Sequence, residues 1–172
     1  KHAGVNVASD PFVPISLMGV NGGFVLVSSD DIGAVSSPTE QDTRIYAKLF
    51  HVPMLEPSDS QEAKDFTALA YTLSERFDVP FFLRTTNGVS HSKGIVRLSQ
   101  RKEERLPPFD RLSPKFRPQG GIHPIVMHQN GYDRLRKIEK YAEKARINRI
   151  EWGDKKIGII SSGITYQYAR EV

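Results

Sequence analysis

Three short apolar segments, each followed at once by polar residues, constrain the fold of this chain more than any other feature. They occupy residues 24–29, 53–55 and 80–85, and stretches with helical spacing separate them. The first segment does not alternate between apolar and polar residues, so we predict a buried strand there. A succession of strand, helix, strand, helix and strand favours right-handed parallel crossovers. The sequence therefore predicts an α/β fold with a doubly wound, mostly parallel sheet.

Two segments of the capping-box type mark where the helices should begin. Residues 37–40 read Ser-Pro-Thr-Glu, and residues 58–61 read Ser-Asp-Ser-Gln directly after the middle strand. Each offers a capping hydroxyl and a polar partner in the first turn. The apolar side of the first helix should consist of Ile45, Tyr46, Leu49 and Phe50. The buried stripe of the second should consist of Ala63, Phe66, Ala70, Leu73 and Phe77.

The polar residues after the three strands predict a ligand site, since ligands of doubly wound sheets gather at the carboxyl ends of strands. These ends are residues 28–31, 56–58 and 85–87. The loop after the first strand supplies four candidate binding residues, Asp30, Asp31, Ser36 and Ser37. It leads toward the first amides of a helix, a geometry suited to an anion or a polar substrate. The alternative is structural, because Asp and Ser are ordinary capping residues.

Gln41 and Asp42 are further candidates, in the expected first turns of the helix that follows. Acidic residues at this position complement the helix dipole, which alone accounts for Glu40. Arg44 has two interpretations. It reaches a substrate carboxylate bidentately, or it pairs locally with Asp42 or Glu40, and we favour the local pair.

Several classes of site are excluded by residues that the chain lacks. Without cysteine it has no disulfide, no thiolate nucleophile and no cysteine-held cluster. It has neither a Gly-rich phosphate loop ending in Lys-Ser/Thr nor a nucleophile elbow. The histidines outside the strand-end segments lack metal-site spacing; they are His2, His51, His123 and His128.

The net charge of +4 conceals an asymmetry between two halves. Residues 1–92 hold 6 Lys/Arg against 11 Asp/Glu, and residues 93–172 hold 18 against 9. The basic half has no aromatic cluster for base stacking, so we favour a solvated surface or a subunit contact over nucleic acid. No apolar run approaches the roughly 20 residues of a membrane span, and the start lacks a signal-peptide pattern. We expect a cytoplasmic protein without membrane contact.

The remainder of the chain divides into three predicted parts. Residues 99–131 form a Pro-rich charged connection, and residues 132–156 contain a charged helix, to about Ile150, and a linker. Residues 157–172 read as a strand, a Gly-bearing turn and a helix from Ile164 to Glu171. The chain starts without Met and stops soon after this pattern opens, so we expect a piece of a longer protein.

Four motifs, taken in order, closely resemble one known family. From Gly22 the chain reads Gly-Gly-Phe-Val-Leu-Val-Ser-Ser-Asp-Asp, and from Ser36 Ser-Ser-Pro-Thr-Glu-Gln-Asp. From Met54 it reads Met-Leu-Glu-Pro-Ser-Asp-Ser, and from Leu83 Leu-Arg-Thr-Thr-Asn-Gly-Val-Ser-His-Ser. These resemble the pyrimidine-binding domain of the alpha subunit of indolepyruvate ferredoxin oxidoreductases, which are thiamine-diphosphate enzymes. The resemblance implies that residues 1–98 are this domain without its N-terminal part, and that residues 157–172 begin a second, truncated α/β domain.

The resemblance implies an enzyme that oxidatively decarboxylates aryl 2-oxo acids such as indolepyruvate. Ferredoxin would accept the electrons and coenzyme A the acyl group. Thiamine diphosphate with Mg would be shared with another domain, and iron-sulfur clusters would lie outside this chain. The family's activating glutamate lies upstream of these residues, so the catalytic residue is unknown here. Implied partners are a beta subunit, a second copy of the chain, or both.

Arg84 and His91 then become candidates for meeting the 2-oxo acid or the partner subunit. The alternatives are that Arg84 caps neighbouring carbonyls and that His91 is structural. One departure from the family concerns Ala34 and Val35, where its members often carry Met-His. If that His aids substrate recognition, this chain must recognise its substrate differently.

Two alternative functions stay open at the level of sequence. One is another 2-oxo acid:ferredoxin oxidoreductase, with the same fold and different substrate contacts. The other is a non-catalytic regulatory or assembly module that kept the α/β scaffold. The presence or absence of the activating glutamate upstream distinguishes the module from the enzymes.

Overall fold

A three-stranded, all-parallel sheet flanked by helices forms the centre of the molecule. The computed structural model describes residues 1–101, 108–117 and 122–172. The strands are β1 (Val25–Asp30), β2 (Met54–Leu55) and β3 (Phe81–Thr86), in the order β1-β3-β2. This arrangement confirms the α/β class, and it is consistent with a doubly wound domain.

Helices follow the first two strands, as predicted, and further helices precede the sheet and directly follow its last strand, where the sequence patterns had predicted none. Helices α1 (His2–Val7) and α2 (Ser9–Met18) precede the sheet, and α3 (Arg44–Leu49) and α4 (Ser60–Phe77) connect its strands. Helix α5 (Asn87–His91) follows β3 directly. A 3₁₀ turn at Pro114–Phe116, α6 (Pro124–Ala142) and α7 (Ile164–Glu171) complete the described elements.

The core lies between the central strand and α4. Phe81, Phe82 and Leu83 of β3 are at most 3% exposed, which confirms the prediction of a buried third strand. The predicted stripe of α4 faces them, with Phe66, Ala70 and Leu73 all buried. A helix stripe packed on a buried parallel strand removes apolar surface from water along its whole length, which stabilises this crossover.

The prediction that the first strand is buried is wrong. Val27 of β1 is 59% exposed, whereas Ser28 and Asp30 are almost fully buried. The cause is position: among the described residues β1 pairs only with β3, so it lies at a sheet edge. The strand is therefore half-exposed, and its buried positions near the carboxyl end are polar.

Helix α3 begins at Arg44, so the predicted start at residues 37–40 is also wrong. The buried carboxylate of Asp30 binds Thr43, whose amide and hydroxyl donate to Oδ2 at 2.7 and 2.8 Å. These bonds hold the chain beside β1 at Thr43 and leave residues 37–43 irregular. Tyr46 packs on the core and Phe50 is buried, but Ile45 and Leu49 are exposed.

The second capping box is real but displaced by one residue. Asp59 is the N-cap of α4 and accepts a hydrogen bond from the Glu62 amide at 2.8 Å. The Glu62 carboxylate in turn accepts from the amide and hydroxyl of Ser58. Asp59 thus accepts from the Glu62 amide, and Glu62 reaches back to Ser58, the residue before the cap, in a variant of the capping box.

The C-terminal part departs most from the sequence-based expectations. Helix α6 starts at Pro124, inside the predicted connection of residues 99–131, and ends at Ala142; residues 102–107 and 118–121 of that connection lie outside the described residues. Residues 157–161 do not form the predicted strand, since they lack a pairing partner among the described residues and Ile160 is fully exposed. The helix predicted at residues 164–171 is confirmed as α7. The division into domains stays a prediction.

Candidate functional site

The carboxyl ends of the three strands meet at one buried arginine. Arg84, on β3, is 2% exposed, and its Nε donates to Asp30 Oδ2 at 2.6 Å. Its Nη1 donates to Glu56 Oε1, just beyond β2. Its Nη2 lies 3.5 Å from Asp42 Oδ1, beyond hydrogen-bonding geometry. We call Asp30, Asp31, Asp42, Glu56 and Arg84 the strand-end cluster.

Parallel pairing explains why these charges converge. Ser28 of β1 lies opposite Arg84, and Asp30 lies opposite Thr86, in the β1–β3 register. The side chains of Arg84 and Thr86 are two residues apart and share one face of the sheet, as do those of Ser28 and Asp30. A guanidinium buried among carboxylates is stabilised only by such close pairing, because leaving any of these charges unpaired is costly.

Asp31 organises the loop that follows β1. Its carboxylate accepts from the amides of Val35 and Ser36 at 3.1 and 2.8 Å, and from the Ser36 hydroxyl at 3.2 Å. The Ser36 amide is the main cause that lowers the pKa of Asp31 below its usual value. Asn87 Nδ2 also donates to Asp31 at 3.2 Å, which links the loop to the end of β3. Gly33 and Ala34 have φ values of 77° and 52°, so the turn passes through the left-handed region.

Asp42 and Arg44 form the local pair that the sequence favoured. Arg44 Nε lies 2.9 and 3.0 Å from the two Asp42 oxygens, and its Nη2 lies 2.5 Å from Oδ2. The hydrogen bonds from Arg44 lower the pKa of Asp42 to about 2. The prediction that Glu40 and Asp42 lie in the first turns of the helix is wrong, because both residues precede α3, although Asp42 still accepts a hydrogen bond from its first amide, that of Arg44, at 3.0 Å. Arg44 is therefore engaged by a neighbour and not held open for a ligand.

The start of the chain holds this irregular segment in place. Lys1 Nζ donates to the Ser37 hydroxyl at 2.7 Å, and the Asp42 amide donates to His2 Nδ1 at 3.2 Å. Ser37 and Gln41 are both buried, and Gln41 Nε2 donates to the carbonyl and hydroxyl of Thr39. The predicted candidates of residues 36–42 thus lie together on the irregular segment beside the strand ends.

His91 is the predicted site residue that the structure does not bring to the cluster. It is exposed at the end of α5, and its side chain contacts none of the cluster residues through a hydrogen bond or ion pair in the described parts of the chain. The hydroxyl of its neighbour Ser90 lies 2.7 Å from the Ser29 hydroxyl and 3.0 Å from the Thr85 hydroxyl, at the ends of β1 and β3. Neither serine was among the predicted site residues.

Glu56 and the start of α7 are the functional candidates that sequence reasoning missed. Glu56 Oε2 accepts from the Ser162 hydroxyl at 2.8 Å. Gly163 has φ 58°, and a Cβ built on it would lie 2.9 Å from Glu56 Cγ. Gln167 Nε2 donates to Ser58 and Asp59 at 3.0 and 3.2 Å. The polar strand end at Glu56 was visible in the sequence, but a contact across 106 residues has no local signal.

Three buried polar atoms at this edge have no hydrogen-bond partner among the described residues: Gln41 Oε1, Arg84 Nη2 and Thr86 Oγ1. Buried polar atoms are usually paired, and unpaired ones call for an explanation such as a ligand. Together they offer an acceptor, a donor and a hydroxyl. The described residues contain no group of three or more His, Cys, Asp and Glu side chains placed to hold a metal ion.

Comparison with known proteins identifies relatives over almost the whole chain. An indolepyruvate oxidoreductase subunit IorA of Archaeoglobus fulgidus is 40% identical over 99% of this chain, which corresponds to 28% of that protein. The IorA of Methanothermobacter marburgensis is 38% identical over 98% of the chain, and that of Thermococcus kodakarensis is 40% identical over 99%. The chain is related to one segment of IorA subunits. It spans just over a quarter of the length of these curated relatives.

The other comparisons add no second family to the IorA relationship. No family model matches the chain, and no solved structure matches it. Among the described residues, no helix has the length and apolar character needed to cross a membrane. The resemblance inferred from the sequence motifs is confirmed by the IorA relatives.

Proposed function

We propose that this chain is part of a thiamine-diphosphate-dependent oxidoreductase that decarboxylates aryl 2-oxo acids such as indolepyruvate. In the complete enzyme, electrons pass to ferredoxin through iron-sulfur clusters outside this chain, and coenzyme A takes the acyl group. A beta subunit, a second copy, or both, complete the assembly. The observation that carries this proposal is the identity of 37–40% with IorA subunits along nearly the entire chain.

The unpaired buried atoms support a role at the pyrimidine side of the cofactor. An aminopyrimidine ring presents an amino donor and ring-nitrogen acceptors. Among the described residues, Gln41 Oε1 is an acceptor without a hydrogen-bond partner, and Arg84 Nη2 is a donor without one, although it lies 3.5 Å from Asp42 Oδ1. Thr86 Oγ1 can act as either. The polar edge of the sheet therefore matches the chemistry of this ring.

The same edge does not fit the diphosphate and its metal. A magnesium site needs several oxygen ligands. The carboxylates here are engaged by Arg84, Arg44, Thr43 or loop amides. In the described parts of the chain no suitable metal-binding group exists. The Mg-diphosphate half of the cofactor would thus be held by a separate domain.

In this proposal the cofactor, when bound, would supply the carbon nucleophile for attack on the 2-oxo acid. The residues of this chain would hold and orient the pyrimidine side of the cofactor. Asp30 and Glu56 fix the guanidinium of Arg84 from two strands, so Arg84 acts as a positioning residue. Asp31 fixes the loop of residues 31–36 through the hydrogen bonds that it accepts from the amides of Val35 and Ser36. The activating glutamate is expected upstream, outside these residues.

Isothermal titration of thiamine diphosphate with Mg tests the proposal. The titrated protein is the longest natural form of this polypeptide together with its partner subunit, and the 172-residue chain alone serves as the comparison. Binding by the complete form, followed by turnover of indolepyruvate with ferredoxin and coenzyme A, is the expected result. If the complete form binds the cofactor and turns over another 2-oxo acid but not indolepyruvate, the enzyme is a 2-oxo acid oxidoreductase with a different substrate. No binding by the complete form leaves a scaffold or regulatory module.

A further inference from the structure

A cavity of about 320 Å³ lies beside the strand-end cluster. Its walls are the start of α4 at residues 58–61, residues 92–95 after α5, and α7. Pockets for small ligands start at about 300 Å³. The cavity thus has room for one fused aromatic ring system. None of the cluster residues lines it; the nearest lining residues along the chain are Ser58 and Asp59, two and three positions after Glu56.

The polar side of this cavity is already satisfied within the protein. Ser58 Oγ donates to Glu62 and accepts from Gln167, and the two Asp59 oxygens accept from the Glu62 amide and from Gln167. The Ser92 hydroxyl donates to the Val89 carbonyl at 2.8 Å. These groups do not require a polar ligand, because each has its hydrogen bonds.

The opposite side is apolar. Ile95 is 97% exposed and Tyr168 is 60% exposed, and Ile164 lines the same space from the first turn of α7. Aliphatic side chains beside a tyrosine ring favour an aromatic occupant, since ring stacking adds to the gain from burial. The three side chains thus present one wall suited to a planar ring.

Lys93 supplies a cation at the edge of this wall. It lines the cavity, and in the described ranges 1–101, 108–117 and 122–172 it forms no ion pair. Most other basic side chains near the cluster are engaged: Arg84, Arg44 and Arg149 each face carboxylates. An unpaired ammonium beside an apolar wall attracts the anionic end of a ligand whose other end is apolar.

We propose that this cavity binds a planar aromatic group that carries an anionic group. The ring lies against Ile95, Ile164 and Tyr168, and the anion meets Lys93. Two molecules of the proposed reaction have this chemistry: an aryl 2-oxo acid, with its carboxylate, and coenzyme A, with its adenine and 3′-phosphate. The choice of these two ligands rests on the proposed function. The class of ligand, an aromatic group with an anion, follows from the residues that line the cavity.

The test titrates two probes into the full-length subunit with its partner. Indole-3-propionate represents the aryl acid without a reactive 2-oxo group, and adenosine 3′,5′-bisphosphate represents the end of coenzyme A. The variants are Lys93→Gln and Ile95→Asp, both at exposed positions, with Lys93→Arg and the remote Lys137→Gln as controls. Thiamine diphosphate binding is measured on the same preparations.

The expected result is that one probe binds and that Lys93→Gln weakens it at least tenfold, while Lys93→Arg stays within about threefold. Ile95→Asp should weaken the same probe at least tenfold, and Lys137→Gln should not change it. The probe that responds identifies the source. The proposal is overturned if neither probe binds at millimolar concentration, or if the Lys93 and Ile95 variants bind like wild type. If the wild-type protein does not bind thiamine diphosphate, the proposed function is overturned instead, whatever the two probes do.

Discussion

Arg84 Nε lies 2.6 Å from Asp30 Oδ2, and both side chains are at most 2% exposed. The pair joins the adjacent parallel strands β1 and β3 at their carboxyl ends, and Glu56, just beyond β2, adds a second carboxylate. A buried guanidinium with two carboxylate partners is fixed in direction. Arg84 is therefore better suited to positioning neighbouring groups than to swinging toward a substrate.

Replacing Arg84 should lower the free energy of unfolding more than replacing the exposed Arg44. Arg84→Met leaves Asp30 buried without its partner, and breaking a buried pair in this way costs about 3–5 kcal/mol. Arg44→Met removes an exposed pair and should cost no more than about 1 kcal/mol. Urea denaturation of the two variants, monitored by circular dichroism, compares them. If the two variants unfolded at the same urea concentration, the buried pair would contribute no more to stability than the exposed pair.

Because of the Asp42–Arg44 pair, the free energy of unfolding should fall as the pH is lowered below about 4. The pKa of Asp42 is about 2 in the folded protein, against an ordinary aspartate value of 3.8. A depressed folded pKa means that the stabilisation is complete above about pH 4 and is lost as the pH falls toward 2. Its size should not exceed about 1 kcal/mol, the limit for an exposed pair, since solvent screens these partly exposed side chains.

Carbon-detected NMR titration of the Asp42 carboxyl group measures this pKa directly. In Arg44→Gln the pKa should rise toward the ordinary aspartate value, because the hydrogen bonds from the guanidinium are the largest cause of its depression. Unfolding measured at pH 4 and at pH 2.5 should then show a smaller difference in the variant than in the wild type. An unchanged Asp42 pKa in Arg44→Gln contradicts this explanation.

Gly163 should be essential for the docking of α7. Its φ is 58°, and a Cβ at this position would lie 2.9 Å from Glu56 Cγ, so there is no room for a side chain. Gly163→Ala should destabilise the docked helix by about 1–2 kcal/mol through backbone strain and displacement of Glu56. Gly158→Ala is the matched control, because a Cβ there meets nothing within 4 Å.

Hydrogen exchange of the amides in α7 provides the measurement. Exchange should accelerate by roughly tenfold in Gly163→Ala for each 1.4 kcal/mol lost, and it should not change in Gly158→Ala. If both variants protect α7 like the wild type, the helix does not depend on its contact with Glu56.

Under the proposed function, Gln41 should contribute to the affinity for the cofactor. Gln41→Leu removes the unpaired acceptor Oε1 at similar side-chain volume, together with the two hydrogen bonds that Nε2 donates to Thr39. In the full-length subunit with its partner, affinity for thiamine diphosphate should fall by about tenfold, as expected for loss of one buried hydrogen bond. Gln129→Leu, on the exposed surface of α6, is the control. A thermal unfolding curve close to that of the wild type separates lost binding from lost folding.

Local patterns predicted much of the scaffold. Apolar runs with polar ends located β2 and β3, and the three-to-four spacing located α4 with its buried face. The Asp42–Arg44 pair was also foreseeable, because residues two positions apart need no tertiary contact to meet. Asp59 was displaced by one residue from the expected cap, since several neighbouring polar side chains compete for the same amides.

Longer-range competition explains the errors. The Ser-Pro-Thr-Glu segment at residues 37–40 has the signature of a helix start, yet Asp30 binds Thr43 and the helix begins only at Arg44. Residues 157–161 have the composition of a buried strand, but a strand needs a neighbour, and the described residues offer none. Val27 is exposed for the same reason, because β1 is a sheet edge.

The sequence by itself determined the types of the elements from β1 to β3 and of α7, the parallel class of the sheet and the polar character of its carboxyl edge, because periodicity and turn chemistry act over a few residues. Only the tertiary structure decided that Arg84 is bound between Asp30 and Glu56, and that Ser162 and Gln167 return to this edge from more than 100 residues away. Such contacts depend on which strand ends become neighbours. That choice is made by burial and pairing of the whole sheet, and no local segment records it.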